Sequence, residues 1–275
     1  MRKNFLPVVA VVSLLVLGLI GFISFLQAAE VVFTEGSVQV QSADKVWKKA
    51  EAGTQVDIGD SIRTARKSRA DVALDDEKMN TLRISEQTMV VLNSTEPGMI
   101  NKIDLSNGKI YSNVENLKAG LAFEVSTPSA VAGVRGTGWS VESSKLKDEV
   151  ATFKDTVKVK TFDANNNLLT ETDVPEGFKT IIERFQQAGA LTQLTEQEMQ
   201  QWTEIRQEVT QHVENPPSGG GNEGADEDTQ NLDQTTELQE NVVNELDDSK
   251  DQIEDQQTDE NVEKIRSFGH YSQEG

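Results

Sequence analysis

The chain has 275 residues, a length that suits one or two domains, and a formal net charge of −20 at pH 7. A chain this acidic is repelled by phosphate backbones, which argues against a nucleic-acid partner. It contains no cysteine, which excludes a disulfide scaffold, thiolate metal sites, a thiol nucleophile and a lipid-modified N-terminal cysteine.

Residues 1–29 carry Arg2 and Lys3 and no acids, and an apolar run extends from Phe5 to Leu26. Twenty-two residues at 1.5 Å rise reach about 30 Å, the thickness of a bilayer core. The run reads as a signal anchor, or as a signal peptide cleaved after Ala28 or Ala29. In both cases Arg2 and Lys3 stay in the cytoplasm and the remainder is exported to the cell envelope, anchored at the inner membrane or released to the periplasm.

From residue 30 the pattern is that of strands. "EVVFTEGSVQVQ" predicts a hairpin around Glu35-Gly36, and "TQVDIGDSIRTA" alternates Val56, Ile58 and Ile62 with polar partners around a Gly59-Asp60 turn. Val72, Leu74, Leu82, Ile84, Val90 and Leu92 keep the period of two that buries one strand face. "KIDLSNGKIYSNV" predicts another hairpin at Asn107-Gly108, and "EVATFKDTVKVKTF" and "NLLTETDVPEGFKTIIE" add later strands. Turn signals recur every 8–12 residues, which predicts an antiparallel β-sandwich, roll or short solenoid.

The period changes at Thr195. Thr195 and Glu198 form a capping-box signature, and Met199, Trp202, Ile205, Val209 and Val213 lie on one face of an amphipathic helix ending before Asn215-Pro216-Pro217. Residues 216–275 carry 3 Lys+Arg against 17 Asp+Glu, a net of −14, with a glycine-rich linker first. So acidic and apolar-poor a tail is expected to be disordered, serving solvation, spacing or capture of cations and basic partners. The expected organisation is residues 1–29 as signal or anchor, 30–190 as an all-β domain, 191–215 as the helix, and 216–275 as linker and tail.

Little of this reads as catalysis. His212 at the helix end and His270 in the tail are unsuited to a serine-hydrolase base, which must be held by its surroundings. Asp75-Asp76-Glu77 reads as a solvated turn. "DANNN" at Asp163 begins like a calcium loop but has Leu168 and Val174 where glycine and the bidentate glutamate belong, so it too reads as a turn. No metal, cofactor or enzymatic activity is expected.

The densest pattern is "TPSAVAGVRGTGWSVE", Thr127–Glu142. Thr127-Pro128 favours extended backbone, and Gly133, Gly136 and Gly138 suggest bends or bulges. No Gly-Lys-Ser/Thr follows, so a phosphate loop is not indicated. Arg135 and Trp139 are the candidate binding residues. For Arg135 a structural role is favoured, its five donors satisfying carbonyls or a carboxylate at a strand bend.

This stretch resembles the signature of the FecR-like domain family, as do "EGSVQVQ", Trp47, "AGTQVDIGDSIRTA", "RADVAL", "NTLRIS", "KIYSNV" and "ATFKDTVKVKT" in order across residues 30–185. Where the family often has a glycine between the strands after the signature, this chain has Asp155. The resemblance implies an all-β extracytoplasmic domain without catalysis. The best-understood members are transmembrane regulators that relay an iron-uptake signal to a cytoplasmic sigma factor through a segment preceding the membrane span. Here Met1–Asn4 alone precede the apolar run, too few for such a segment. The expected function is therefore a binding module engaging an envelope protein or a cell-wall glycan, touching the membrane through residues 5–26 if these stay uncleaved. The alternative is a signalling subunit that works on a sigma-factor pathway through a separate cytoplasmic effector.

Overall fold

The computed structural model describes residues 29–96, 99–115, 117 and 121–217. The expected signal or anchor and nearly all of the acidic tail lie outside the described residues. The chain forms β1 (Ala29–Glu35), β2 (Val38–Gln41), β3 (Trp47–Lys49), β4 (Gln55–Val56), β5 (Ser61–Thr64), β6 (Arg69–Ala73), β7 (Thr81–Ile84), β8 (Met89–Asn93) and the long β9 (Lys102–Val114). There follow β10 (Phe123–Ser126), β11 (Ala130–Val134), β12 (Thr137–Ser143), β13 (Lys147–Lys154), β14 (Thr156–Phe162), β15 (Leu168–Pro175), β16 (Phe178–Glu183), β17 (Thr192–Gln193) and the helix α1 (Glu196–Glu214).

Two open sheets share one strand. The first runs β4-β1-β6-β7-β9-β12-β13-β16-β17 and the second β3-β2-β5-β8-β9-β10-β11-β14-β15. A single apolar cluster drawn from both sheets, with Val31, Ile62, Leu82, Leu92, Ile103, Phe123, Trp139 and Val159, fills the space between them. The fold is mainly β, as expected, and open, and its paired strands are antiparallel except for β9 and β10, which are parallel.

The expected hairpins at Glu35-Gly36 and Asn107-Gly108 are not hairpins. β1 and β2 pair with different partners, so Gly36 is a corner where the chain leaves one sheet for the other. Asn107-Gly108 lies inside β9, and Gly108, at φ +98°, is where that strand crosses between sheets. Both corners use one device. A Cβ on Gly36 would stand 2.3 Å from Ser68 Oγ, and one on Gly108 2.2 Å from Thr88 Oγ1. Those hydroxyls accept the N–H groups of Ser37 (2.9 Å) and Lys109 (3.0 Å). A glycine turn signal cannot tell a hairpin from a corner, because both need the same backbone.

The registers place the corners on definite edges. Up to β9, corners at Gly36, Ala65–Ser68, Ser85–Thr88 and Gly108 lie on the far edge, opposite Ala29, while the within-sheet turns and the β4–β5 crossing at Asp57–Asp60 lie on the near edge with Ala29. After the parallel pair the pattern inverts: Arg135-Gly136, Asp155 and Glu176-Gly177 turn on the near edge. Asp155 adopts φ +63°, the left-handed conformation in which a glycine is at home and which aspartate tolerates better than most residues.

The helix covers one sheet. Its cap is the expected box: Thr195 Oγ1 accepts from the Glu198 N–H (3.2 Å) and Glu198 accepts from the Thr195 N–H (2.8 Å). Trp202 and Val209 are buried and Met199 and Ile205 half-buried against Tyr111, Ala151, Phe153 and Leu194. Covered strands lose alternation, since β13 buries Val150 inward and Ala151 and Phe153 outward, whereas β14, facing solvent, alternates cleanly.

Two glycines separate these demands. Gly108→Ala should cost about 2–4 kcal/mol in urea unfolding, from the left-handed backbone and the clash with Thr88. Gly133→Ala, in regular strand with its nearest atom 3.9 Å from a Cβ, should stay within about 0.5 kcal/mol of wild type.

Candidate functional site

The signature contributes mainly to an interior polar knot. Asp148, fully buried, accepts from Thr127 Oγ1 (2.6 Å), Ser129 Oγ (2.6 Å) and Ser143 Oγ (2.7 Å). Arg184 completes it, 3.3 Å from Asp148 Oδ1, while its other nitrogens donate to the Lys145 and Ser144 carbonyls. Burial pulls the Arg184 guanidinium below its ordinary range, and Asp148 opposes that shift. This is the role expected of Arg135, performed by a different arginine.

Arg135 itself is exposed at the corner between β11 and β12, with no hydrogen bond or ion pair among the described residues. The expectation that it satisfies carbonyls or a carboxylate at the bend therefore fails, because the corner turns through Gly136, at φ +117°, with the arginine pointing outward. Trp139, the other candidate, is fully buried and packs edge-on against Phe123 at 5.7 Å. It is core and is not placed to touch a ligand. Gly138 faces the other way, onto Trp202: a Cβ there would stand 2.5 Å from the indole. The signature glycine is thus the seat of the helix. Asp75 and Asp163 cap their own turns, as expected, by accepting backbone N–H groups.

The helix is locked further along by a charged seam. Asp71, on the outer side of β6, is fully buried, and Arg83 of β7 grips it with Nε and a terminal nitrogen. Glu208 of the helix accepts from Arg83 (3.0 Å) and from Arg69 (2.8 Å), and Arg69 also donates to Glu35 (2.7 Å). His212 Nδ1 lies 2.6 Å from Asp71 Oδ2 with its ring stacked on Phe33 at 3.8 Å. The histidine expected to lack fixed surroundings is held on two sides, in the service of helix docking.

Burial disfavours the charge on Arg83, but Asp71 and Glu208 outweigh it and hold the guanidinium above its ordinary range. Burial likewise works against the Glu208 carboxylate, and hydrogen bonding from Arg83 overcomes it, leaving the group more acidic than usual. At the other end of the helix Lys179 and Thr195 outweigh the burial of Glu198 and bring its pKa down to about 2.

Between the seam and the far edge the surface opens into a cavity of about 570 Å3. One wall is the helix, through Gln201 and Ile205, and the floor carries Tyr111. Besides Ser68 and Ser85 the rest is charged: Lys67, Arg69, Arg83 and Lys109 against Glu35 and Glu86. Lys109 is itself held by Glu142 at 3.2 Å and lies 5.2 Å from the Tyr111 ring. This groove can receive an extended segment bearing charges and hydrogen-bonding groups. None of it stood out in the sequence, because Asp71 and Arg83 occupy the strand positions that normally face water.

The sequence from Asp60 to Lys158, residues 60–158, matches the family described as FecR protein. Two crystal structures of a proposed anti-sigma factor from Parabacteroides distasonis ATCC 8503, at 1.65 and 2.50 Å resolution, align with 52% of this chain at 16% and 15% identity, both with a TM-score of 0.42. The chain spans 64% and 63% of those structures' lengths. No curated protein matches the sequence.

The two arginines make opposite predictions. Arg184→Ala should destabilise the domain by about 2–3 kcal/mol in denaturant titration, because it strips a buried aspartate of its countercharge. Arg135→Ala should remain within about 0.5 kcal/mol of wild type. The helix should also respond to acid. A carboxylate held below its ordinary pKa stabilises the fold above the unfolded value and loses that contribution as pH falls through the folded one. Docking at Glu198 should therefore weaken between the ordinary 4.5 and about 2, seen as a shift of the Trp202 indole NMR signal over that range.

Proposed function

Starting from the FecR domain that the chain carries at residues 60–158, we propose that this protein is a non-enzymatic regulatory module displayed outside the cytoplasm, which engages an envelope protein through the groove between α1 and the far edge. The observation that carries the reading is the groove itself: an open, charged cavity of about 570 Å3 walled by a helix that a buried ion pair holds in place. Its position suits the role. β1 begins at Ala29, directly after the apolar run, and its seven residues carry the chain about 20 Å to Glu35 at the groove. A chain anchored through residues 5–26 would then carry the groove about 20 Å from the start of β1.

The FecR domain also supports a signalling form of this reading, in which occupancy of the groove is passed to a separate cytoplasmic effector of a sigma-factor pathway. A cell-wall glycan is the second reading, and one feature favours it. On the sheet without a helix, Trp47 lies over Arg63 at 4.1 Å, and Gln39 fixes that guanidinium through two hydrogen bonds of 3.0 and 2.7 Å. Such a braced aromatic is a platform on which a sugar ring can stack.

A photo-crosslinking residue at Gln201, used in whole cells, distinguishes the two. The groove reading predicts a discrete protein adduct that Lys67→Glu removes and Trp47→Ala leaves in place. Retention of wall polymer that depends on Trp47, with no protein adduct at Gln201, would instead favour the glycan reading.

A further inference from the structure

The helix that walls the groove is followed in the sequence by a strongly anionic stretch. Its lining holds four cations and two carboxylates. Arg69 and Arg83 are committed to Glu35, Glu208 and Asp71, but the Lys67 ammonium is exposed with no ion pair among the described residues, as is the neighbouring Arg66 guanidinium. Lysine and arginine with unused donors at the mouth of a cleft are a site for carboxylates.

We infer that in the free protein the groove is occupied by the chain's own acidic segment Glu223–Asp228. The inference rests on the groove reading above and adds the chemistry of the occupant. Three observations carry it. First, charge: the segment reads "EGADED", with Glu223, Asp226, Glu227 and Asp228 in six residues. Second, direction: the helix that walls the groove ends at Glu214, and His212, stacked on Phe33, fixes that end over β1. The distal residue of β1, Glu35, lines the groove.

Third, reach: Ile205 of the groove wall lies nine residues before Glu214, about 14 Å back along the helix. Eight residues, 218–225, separate Pro217 from Asp226 and span up to about 26–29 Å when extended. They include Gly219-Gly220-Gly221, the residues best able to turn a chain back on itself. A tether this short holds the acidic cluster at millimolar effective concentration beside the cations, so modest intrinsic affinity suffices for occupancy.

Self-occupancy has a regulatory consequence. A partner's segment competes with the tethered one, and its apparent affinity is reduced in proportion to the fraction of molecules whose groove is free. The partner segment that best replaces it is itself acidic, with carboxylates meeting Lys67 and Arg66.

Carbodiimide cross-linking of the full chain in detergent, followed by peptide mapping, tests this without needing the partner. The expected product joins Lys67 to the Glu223–Asp228 peptide. Its yield should fall at least about fivefold in 1 M salt, where screening acts within about 3 Å. The combined variant Asp226→Asn, Glu227→Gln, Asp228→Asn should lose it without a change in melting temperature. In the photo-crosslinking experiment the same variant should raise the partner adduct severalfold. No link between the groove and this segment, or a link that survives the neutralising variant, overturns the inference. A link whose yield rises with protein concentration shows contact between two copies and overturns it too. A partner adduct missing from the neutralising variant as well as from wild type, with the wild-type Lys67 link intact, would overturn the groove reading and leave self-occupancy standing.

Discussion

An aspartate buried on the outer face of a β-sheet needs its oxygens met by other groups, and Asp71 is met by the Arg83 guanidinium and by the His212 ring at 2.6 Å. One of those partners belongs to the sheet and the other to the helix. Without α1 the pair would face solvent, as the strand alternation of β6 and β7 implies, and the groove would have no wall. Buried ion pairs contribute little net stability, since desolvation consumes most of the Coulombic gain. What this one contributes is position. Of the ways a nineteen-residue amphipathic helix can lie on a sheet, the seam admits the one that sets Glu208 between Arg69 and Arg83 and His212 on Asp71.

The opposite end of the helix is positioned by shape. Trp202 stacks at 5.0 Å on Phe153 and rests on the bare backbone of Gly138. A glycine of the signature is thus explained by a residue more than sixty positions away, outside the stretch that matches the FecR family. The sequence pattern sets the domain and its helix apart, yet in the fold they share one packing surface. The corners support this arrangement from below, since those at Gly36, Ala65–Ser68, Ser85–Thr88 and Gly108 meet on the far edge, and there Lys67, Glu86 and Lys109 come to line one cavity.

What could be read from the sequence followed from local physics. The alternation of Val90 and Leu92, the capping box at Thr195 and the apolar face through Trp202 depend only on near neighbours, and each stands where expected. Reading faltered where long-range geometry decides. Gly36 and Gly108 marked turns correctly, but whether the chain then pairs with itself or enters the other sheet depends on strands far along the sequence. The arginine device expected at Arg135 does exist, but Arg184 supplies it from the end of β16, because the groups to be satisfied gather around buried Asp148 and not at the Gly133–Gly138 bend. Asp71 and Arg83 were illegible because in a strand period they look like residues that face water.

The central claim is that the Asp71–Arg83 pair fixes the helix, and thereby the groove, on an otherwise self-sufficient sandwich. Native-state amide exchange of Asp71→Asn tests it most directly, because exchange resolves the stability of individual elements. The account predicts that the α1 amides lose most of their protection while those of β9, β12 and β13 keep theirs. Helix amides as protected as in wild type would contradict it, and so would a loss of protection shared equally by helix and sandwich.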